Sequence, residues 1–412
     1  MAQTSLLDRR RFAAVFGMVG GYAAVKRCLG GGGNLFPELI SDLWAAENAN
    51  APELVRYPQK TDLILLTDRP PQLETPLHYF MTDLTPNEAF FVRWHLSGVP
   101  TSVDTRKFRL EVNGHVHNPL SLSLEKLRTK FEPVSVVALC QCAGNSRSLF
   151  EPRVPGGQWG NGAMSNARWK GARLKDVLDE AGVKPGAVQV GFRGLDTAPL
   201  PQMPLYEKSL TIDRAQDAEV MIAYEMNNEP LPMLNGFPIR LVVPGWYSTY
   251  WVKSLSSITV FDQPLKTFWM DTAYRVPDNS GAEETPQQLS KSTVPITRMA
   301  VHSIFVKPEP NEQLVAGKSY TVQGVANDGG SGIRKVEVST DDGKTWSDAT
   351  LGTDLGKYSW RLWKMQWTPA ANGSYRLQVR ATTNDGQQQA ASQWNRSGYQ
   401  RDVIEHVDVV VA

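Results

Sequence analysis

Val136-Val-Ala-Leu-Cys140-Gln-Cys142-Ala-Gly-Asn-Ser-Arg147 is an apolar run that breaks off into small and polar residues. That pattern predicts a buried strand ending in a tight turn. A strand end would deliver a thiolate on a rigid support into a cleft, and a thiolate is a soft metal ligand. Arg147, five residues beyond Cys142, adds a permanent cation with a fork of donors suited to an oxyanion. Two blander readings stand beside this one. Free cysteine is among the most buried residue types, so Cys142 also reads as a structural thiol. Cys140 and Cys142 share one face of the strand, so a strained Cys-x-Cys disulfide is the third reading.

Outward from this stretch, the composition sets bounds. The 412 residues are 41% hydrophobic and 21% charged, with 12 tryptophans, enough for two or three domains with their own cores. The net charge of +1 gives no basic surplus for nucleic acid or an anionic membrane surface. Three cysteines exclude a disulfide framework, and without a Cys-x-x-Cys-His motif no intrinsic haem is expected. Electrons handled by such a chain would leave to another protein. His115-Val-His117 reads as an exposed pair before the Asn118-Pro119 turn rather than a zinc site.

In chain order, residues 1–50 read as a targeting segment. Asp8-Arg9-Arg10-Arg11-Phe12 matches the twin-arginine pattern, and the apolar stretch from Phe12 to Val25 is shorter than the roughly 20 residues a membrane span needs. The periplasm is therefore the expected location, with no membrane span. Residues 55–275 carry a mixed α/β grammar. Phe90-Phe-Val-Arg93-Trp-His95 is strand-like and puts Arg93 and His95 on one side. Leu174, Val177, Leu178 and Ala181 mark one face of a helix that Gly182 would cap. Asn227-Asn228 turns a strand, Arg240 opens a buried one, Lys253 follows in another, and Tyr274-Arg275 lies in a loop. The polar, proline-bearing stretch 276–297 marks a boundary. From 295 to 412 apolar and polar residues alternate, as at Val336/Val338, Leu377/Val379 and Val407/Val409/Val411, with Asp342-Gly343, Asn372-Gly373 and Asp385-Gly386 as turn signals. The fold class expected is α+β: a mixed α/β domain followed by an immunoglobulin-like β-sandwich.

Several ordered stretches resemble the sulfite oxidase family of molybdenum enzymes, and among them the bacterial periplasmic sulfite dehydrogenases. They are Phe90–His95, Gln141–Arg147, Gly160–Trp169, Tyr224–Asn227, Gly236–Arg240, Pro244–Tyr247, Ala273–Pro277, Val336–Ser339 and Gly343–Trp346. The resemblance covers nearly all of residues 60–412. It implies a molybdopterin-binding domain whose molybdenum takes Cys142 as its protein ligand. It also implies a substrate pocket of Arg93, Arg147, Trp159 and Tyr274 with His95 close by, and a cofactor held by Arg240 and Lys253. Asn235 stands where many relatives have histidine beside the cofactor, and Arg396 is a candidate further cation from the second domain. The implied activity is oxidation of sulfite to sulfate with electrons passed singly to an external c-type cytochrome, in a homodimer formed through the C-terminal domain. Two readings share the fold, a sulfane-sulfur dehydrogenase subunit and a sulfoxide reductase. One of another class is a secreted β-sandwich binding protein without metal.

Overall fold

The computed structural model describes residues 52–412; the twin-arginine stretch lies outside the described residues. Residues 53–412 form one compact unit. It begins with an antiparallel sheet in sequence order, β1 (Leu54–Arg56), β2 (Asp62–Thr67), β3 (Gln72–Glu74) and β4 (Val92–Arg93). A five-stranded sheet follows in the order β10 (Glu207–Thr211), β9 (Gln189–Gly194), β14 (Leu255–Phe261), β5 (Leu110–Gly114), β6 (Leu120–Leu122). Its β14–β5 pairing is parallel. A third sheet runs β12 (Glu229–Pro230), β11 (Met221–Met226), β8 (Met164–Arg173), β7 (Pro133–Gln141), with β13 (Arg240–Val242) also paired to β11.

Local chemistry sets the helices and turns. Helix α1 (Leu124–Lys130) is capped by the Ser123 hydroxyl, which accepts from the Lys126 N–H. In α2 (Leu174–Ala181) the four expected apolar positions are fully buried, and Gly182 at φ 66° closes the helix with its N–H on the Leu178 and Asp179 carbonyls. A short α3 (Ile212–Gln216) is the last α-helix among the described residues of this domain. Asn227 and Asn228 take φ 52° and 66°, the left-handed pair a two-residue hairpin requires.

The C-terminal domain has two sheets. One runs β17 (His302–Lys307), β19 (Tyr320–Asn327), β23 (Arg361–Trp367), β22 (Thr350–Leu351). The other runs β18 (Gln313–Leu314), β25 (Glu405–Val411), β24 (Gly373–Thr383), β20 (Ile333–Ser339), β21 (Ser347–Asp348). Strict alternation puts Val407, Val409 and Val411 in the shared core with Val336, Val338, Leu377 and Val379, against Val322 and Trp363 of the other sheet.

Three local expectations change. In the segment 90–95 only Val92 and Arg93 join a ladder, because the β4–β3 pairing is two residues long. Lys253 lies in the bend before β14 rather than within a strand. The stretch 276–297 is not merely a polar boundary. There β15 (Arg275–Pro277) pairs with β16 (Thr293–Pro295), and Val276, Ala282 and Ile296 enter a core with Leu139, Ala143 and Tyr274 from one domain and Ile304, Val325 and Trp360 from the other.

That shared core fixes the two domains on each other along β7. The Leu139 N–H donates to the Tyr358 carbonyl at 2.9 Å, and the Asn327 amide donates to Gln141 Oε1 at 3.1 Å. The C-terminal domain thus covers an edge that would otherwise leave unpaired backbone groups. The strand is held where it ends in Cys142.

Candidate active site

The turn after β7 is built to hold a thiol still. The Cys142 N–H donates to the Ala163 carbonyl at 2.9 Å, and Asn145 accepts the Ala163 N–H at 2.8 Å. Ser146 adopts φ 66°, and its hydroxyl donates to Asn161 at 2.6 Å. At Gly144 a Cβ would sit 2.7 Å from the Arg147 guanidinium and push that side chain aside. Glu74, on β3, accepts the N–H groups of Gly160 and Gly162 at 2.9 and 2.8 Å and so ties down the facing loop. Cys140 and Cys142 are both buried and free, which removes the disulfide reading.

Cys142 opens into a cavity of about 400 Å³, its mouth included, lined by Arg93, His95, Cys140, Asn235, Arg240, Lys253 and Tyr274 among others. Seven of the nine residues singled out in the sequence therefore meet here. They come from the turn after β7, from β4, and from the loops around β13 and before β15. Arg147 and Trp159 do not line this cavity. Arg147 is held beside it by the Gly157 and Ser397 carbonyls, each at 3.2 Å, and the Trp159 indole is buried in the main hydrophobic core.

Arg93 and His95 keep some exposed area because they face the cavity, yet both lie deep in the protein. Arg93 donates to the Trp94 carbonyl at 2.8 Å, and among the described residues no carboxylate pairs with it. His95 stacks on Tyr206 with ring centroids 3.6 Å apart. Its Nε2 meets the Tyr274 hydroxyl in a short hydrogen bond. Burial, reinforced by Arg93, Lys253 and Lys208, holds the imidazole far below its ordinary pKa and therefore neutral at pH 7. Burial also raises the Tyr274 phenol, so it keeps its proton. Tyr274 sits at φ 60°, a strained conformation for a bulky residue that the surrounding core sustains.

In and behind the lining lies an excess of positive charge. Arg240 donates to the Asn235 and Trp251 carbonyls at 3.0 and 3.3 Å and approaches Cys140 Sγ at 3.7 Å. Its Nε is buried without a partner. Lys253 lies over the Trp94 ring at 4.7 Å. Lys60, not anticipated from sequence, donates to the Asn87 and Phe90 carbonyls at 2.8 and 2.9 Å and to Asn235 Oδ1. The Asn235 amide donates to the Phe91 carbonyl at 3.1 Å, which uses one of its two N–H groups. Asn235 lines the cavity beside Arg240 and Lys253. Burial pushes Lys60 and Lys253 down to about 7, with Arg240 adding to the effect in both and a nearby acid (Glu88 and Asp196, respectively) opposing it. Buried cations outnumbering acids, beside an unpartnered guanidinium nitrogen, fit an anionic group such as a cofactor phosphate. The thiol of Cys142 fits a soft metal.

A pH dependence follows. Each lysine is charged below about 7 and neutral above it, so anion affinity belongs to the acid side. Titration calorimetry of cofactor-free protein with inorganic pyrophosphate should show binding that weakens roughly tenfold or more from pH 6 to pH 8. A flat profile would mean the lysines do not carry the anion.

Arg396 does not reach the cavity. Its guanidinium donates to both Glu284 oxygens at 2.8 and 2.6 Å and to the Ser290 carbonyl at 2.6 Å. The Arg396 hydrogen bonds hold the Glu284 carboxyl down at about 2, against 4.5 unperturbed. The pair's stabilisation is thus present above pH 4.5 and lost as pH falls toward 2. Denaturant melts should show Glu284→Gln less stable than the parent at pH 7, with the gap closing between pH 4.5 and 2.

Several residues at the site escaped sequence reading: Lys60, Tyr206, Lys208 and Tyr399. Lys208 Nζ donates to the Trp269 carbonyl at 2.7 Å and lies 5.2 Å from the Tyr274 ring centre. No local pattern marks them, because each reaches the site from an element remote in sequence.

Residues 95–269 match the oxidoreductase molybdopterin binding domain, and residues 293–410 match the Mo-co oxidoreductase dimerisation domain. Human mitochondrial sulfite oxidase (Homo sapiens) is 35% identical over 84% of this chain and 64% of its own length. The chain therefore spans just under two thirds of that relative. Sulfite oxidase of Gallus gallus is 36% identical over 78% of this chain and 71% of its own length. The crystal structure of the sulfane dehydrogenase SoxCD from Paracoccus pantotrophus shares the fold, with a TM-score of 0.73 and 23% identity over 98% of this chain and 96% of that one. A buried thiol at a strand end, a cationic wall behind it and this agreement across both domains lead to one conclusion: the chain belongs to the sulfite oxidase family of molybdenum enzymes.

Proposed function

We propose that this protein oxidises sulfite to sulfate at a molybdenum-pterin centre bound through Cys142, and passes the electrons singly to an external c-type cytochrome. The observation that carries the reading is the meeting of Cys142 with Arg93, His95 and Tyr274 in one cavity that Arg240 and Lys253 also line, with Lys60 bonded to Asn235 behind them. When bound, the cofactor would supply two-electron redox chemistry, by which sulfite and water give sulfate, two protons and two electrons. The protein's part is binding and orientation. Arg93, always charged and without a carboxylate partner, holds a dianion in a site largely shielded from water. Tyr274 keeps its proton and donates toward charge that develops on the reacting group, while neutral His95 Nε2 fixes that phenol. Arg240 and Lys253 hold the cofactor phosphate, and Lys60 braces Asn235 beneath them.

The same reading places the protein in the periplasm, exported by the twin-arginine route on the strength of Arg9-Arg10-Arg11-Phe12. The strand orders β17-β19-β23-β22 and β18-β25-β24-β20-β21 support an immunoglobulin-like type for the sandwich. A homodimer through this domain is expected, and sedimentation would check it.

The test is sulfite-dependent reduction of cytochrome c by protein expressed with molybdate, with an artificial one-electron acceptor in parallel. Turnover with both supports the whole reading. Turnover with the artificial acceptor alone removes the cytochrome. Metal-replete protein that leaves sulfite untouched with both acceptors overturns the substrate and moves carrier-bound sulfur or a sulfoxide ahead.

A further inference from the structure

Arg147 is the cation that the cavity itself does not expose, and a segment of the C-terminal domain accounts for its position. Residues 394–401 lie across the turn that follows Cys142. Trp394 Nε1 donates to the Pro152 carbonyl at 2.7 Å, the Gln400 N–H to the Ala143 carbonyl at 3.2 Å, and Arg401 to the Leu149 carbonyl at 3.0 Å. In the middle of this segment Tyr399 stacks on Tyr274, with centroids 5.4 Å apart and planes 8° from parallel. The Arg147 guanidinium carbon lies 4.7 Å from the centre of the same Tyr399 ring. One aromatic ring thus touches both a pocket-lining phenol and the neighbouring arginine.

Its backbone is equally constrained. Asn395, fully buried, accepts the Tyr399 N–H at 3.2 Å and donates to the Tyr399 carbonyl at 2.9 Å and the Ala282 carbonyl at 3.1 Å. Gly398 turns at φ 56°, where a Cβ would fall 2.4 Å from Val154 and 2.8 Å from Arg147 Cγ, so only glycine lets the segment come this close. Among the described residues no carboxylate neutralises Arg147. Its partners are two carbonyls and an aromatic face, which orient a guanidinium while leaving its charge for a ligand.

We propose that Tyr399 is a positioning residue, supplied by the C-terminal domain, that sets anion selectivity by holding Arg147 and Tyr274 in fixed relation for a doubly charged oxyanion. The proposal rests on the oxyanion-oxidising reading above. Without the ring, Arg147 would keep its two carbonyl bonds but lose the face that aims its guanidinium, and Tyr274 would lose one wall, weakening the anion in the ground state more than the chemical step.

The experiment uses the molybdenum-loaded protein and two readouts, steady-state kinetics with sulfite and calorimetric titration with sulfate, which needs no turnover. Tyr399→Leu should raise the sulfate Kd and the sulfite KM about tenfold, the size that loss of a desolvated cation–π contact supports, with kcat falling less. Tyr399→Phe keeps the ring and should restore both to within about twofold of the parent. Tyr399→Met takes the place of the leucine variant if that one does not fold. An unchanged sulfate Kd in the aliphatic variant overturns the proposal, and so does a phenylalanine variant as weak as the aliphatic one. If the parent binds sulfate but does not turn over sulfite, the proposed activity fails while the sulfate titrations still decide the role of Tyr399. A parent that neither binds sulfate nor turns over sulfite defeats both; where sulfite is turned over without measurable sulfate binding, the sulfite KM of the variants decides.

Discussion

Replacing Cys142 by serine should abolish sulfite-dependent acceptor reduction and leave the purified protein short of molybdenum, with its fold intact. Serine is nearly the same size, and the backbone bond from residue 142 to the Ala163 carbonyl does not involve the side chain. An alcohol at this position is a hard, protonated donor that cannot replace a thiolate on a soft metal. The loss should therefore exceed the roughly 10–100-fold that removal of an outer-shell partner costs. Cys140→Ser is the matched control. Cys140 also lines the cavity but meets Arg240 at 3.7 Å, and burial raises its thiol pKa. Its serine variant should keep metal and lose roughly tenfold at most. Metal content by plasma mass spectrometry, read beside activity, separates the outcomes: parental activity together with equal metal in both variants would return Cys142 to the role of a structural thiol.

The second large effect belongs to Arg93. Methionine at this position keeps much of the side-chain length and removes the charge, leaving a dianion without its buried counter-charge. Loss of one member of a buried charge pair costs about 2–5 kcal/mol, on the order of 10²–10³ in kcat/KM. Because the lost contact is with the bound anion, most of the loss should appear as a higher KM for sulfite. The hydrogen bond to the Trp94 carbonyl also goes, but a single neutral-acceptor bond is worth only about 1–3 kcal/mol, and its loss would lower stability without a KM-specific signature. A variant with parental KM would transfer anion recognition to Arg147 and make Tyr399 the more important neighbour.

Much of this protein was legible in the residues themselves. The run Val136–Arg147 announced a buried strand and a turn carrying a thiol, and β7 ends at Gln141 with Cys142 in the turn. Alternation in Val407, Val409 and Val411 and the spacing of Leu174, Val177, Leu178 and Ala181 are properties of period, so they survive intact into β25 and α2. Arg93, His95, Cys142, Arg240 and Tyr274 stand in an ordered set of motifs, with Lys253 implied by the same resemblance, and one cavity unites them.

Tertiary structure decided the rest, because burial and pairing across long sequence separations leave no local trace. Lys60 reads as an ordinary surface lysine until Asn235, 175 positions away, accepts its ammonium inside the core. Asn235 is oriented by Lys60 and by the Phe91 carbonyl, which take one acceptor site and one N–H of its amide. Arg396 looked like a spare cation, but Glu284 neutralises it. Tyr399, three residues further on, carries no signal of its own, and only the packing of two domains brings its ring to Arg147 and Tyr274. Sequence determined which residues carry the chemistry. The fold determined which of their donors and charges remain unspent for a ligand, since a buried polar group is committed to whichever partner the packing places within reach.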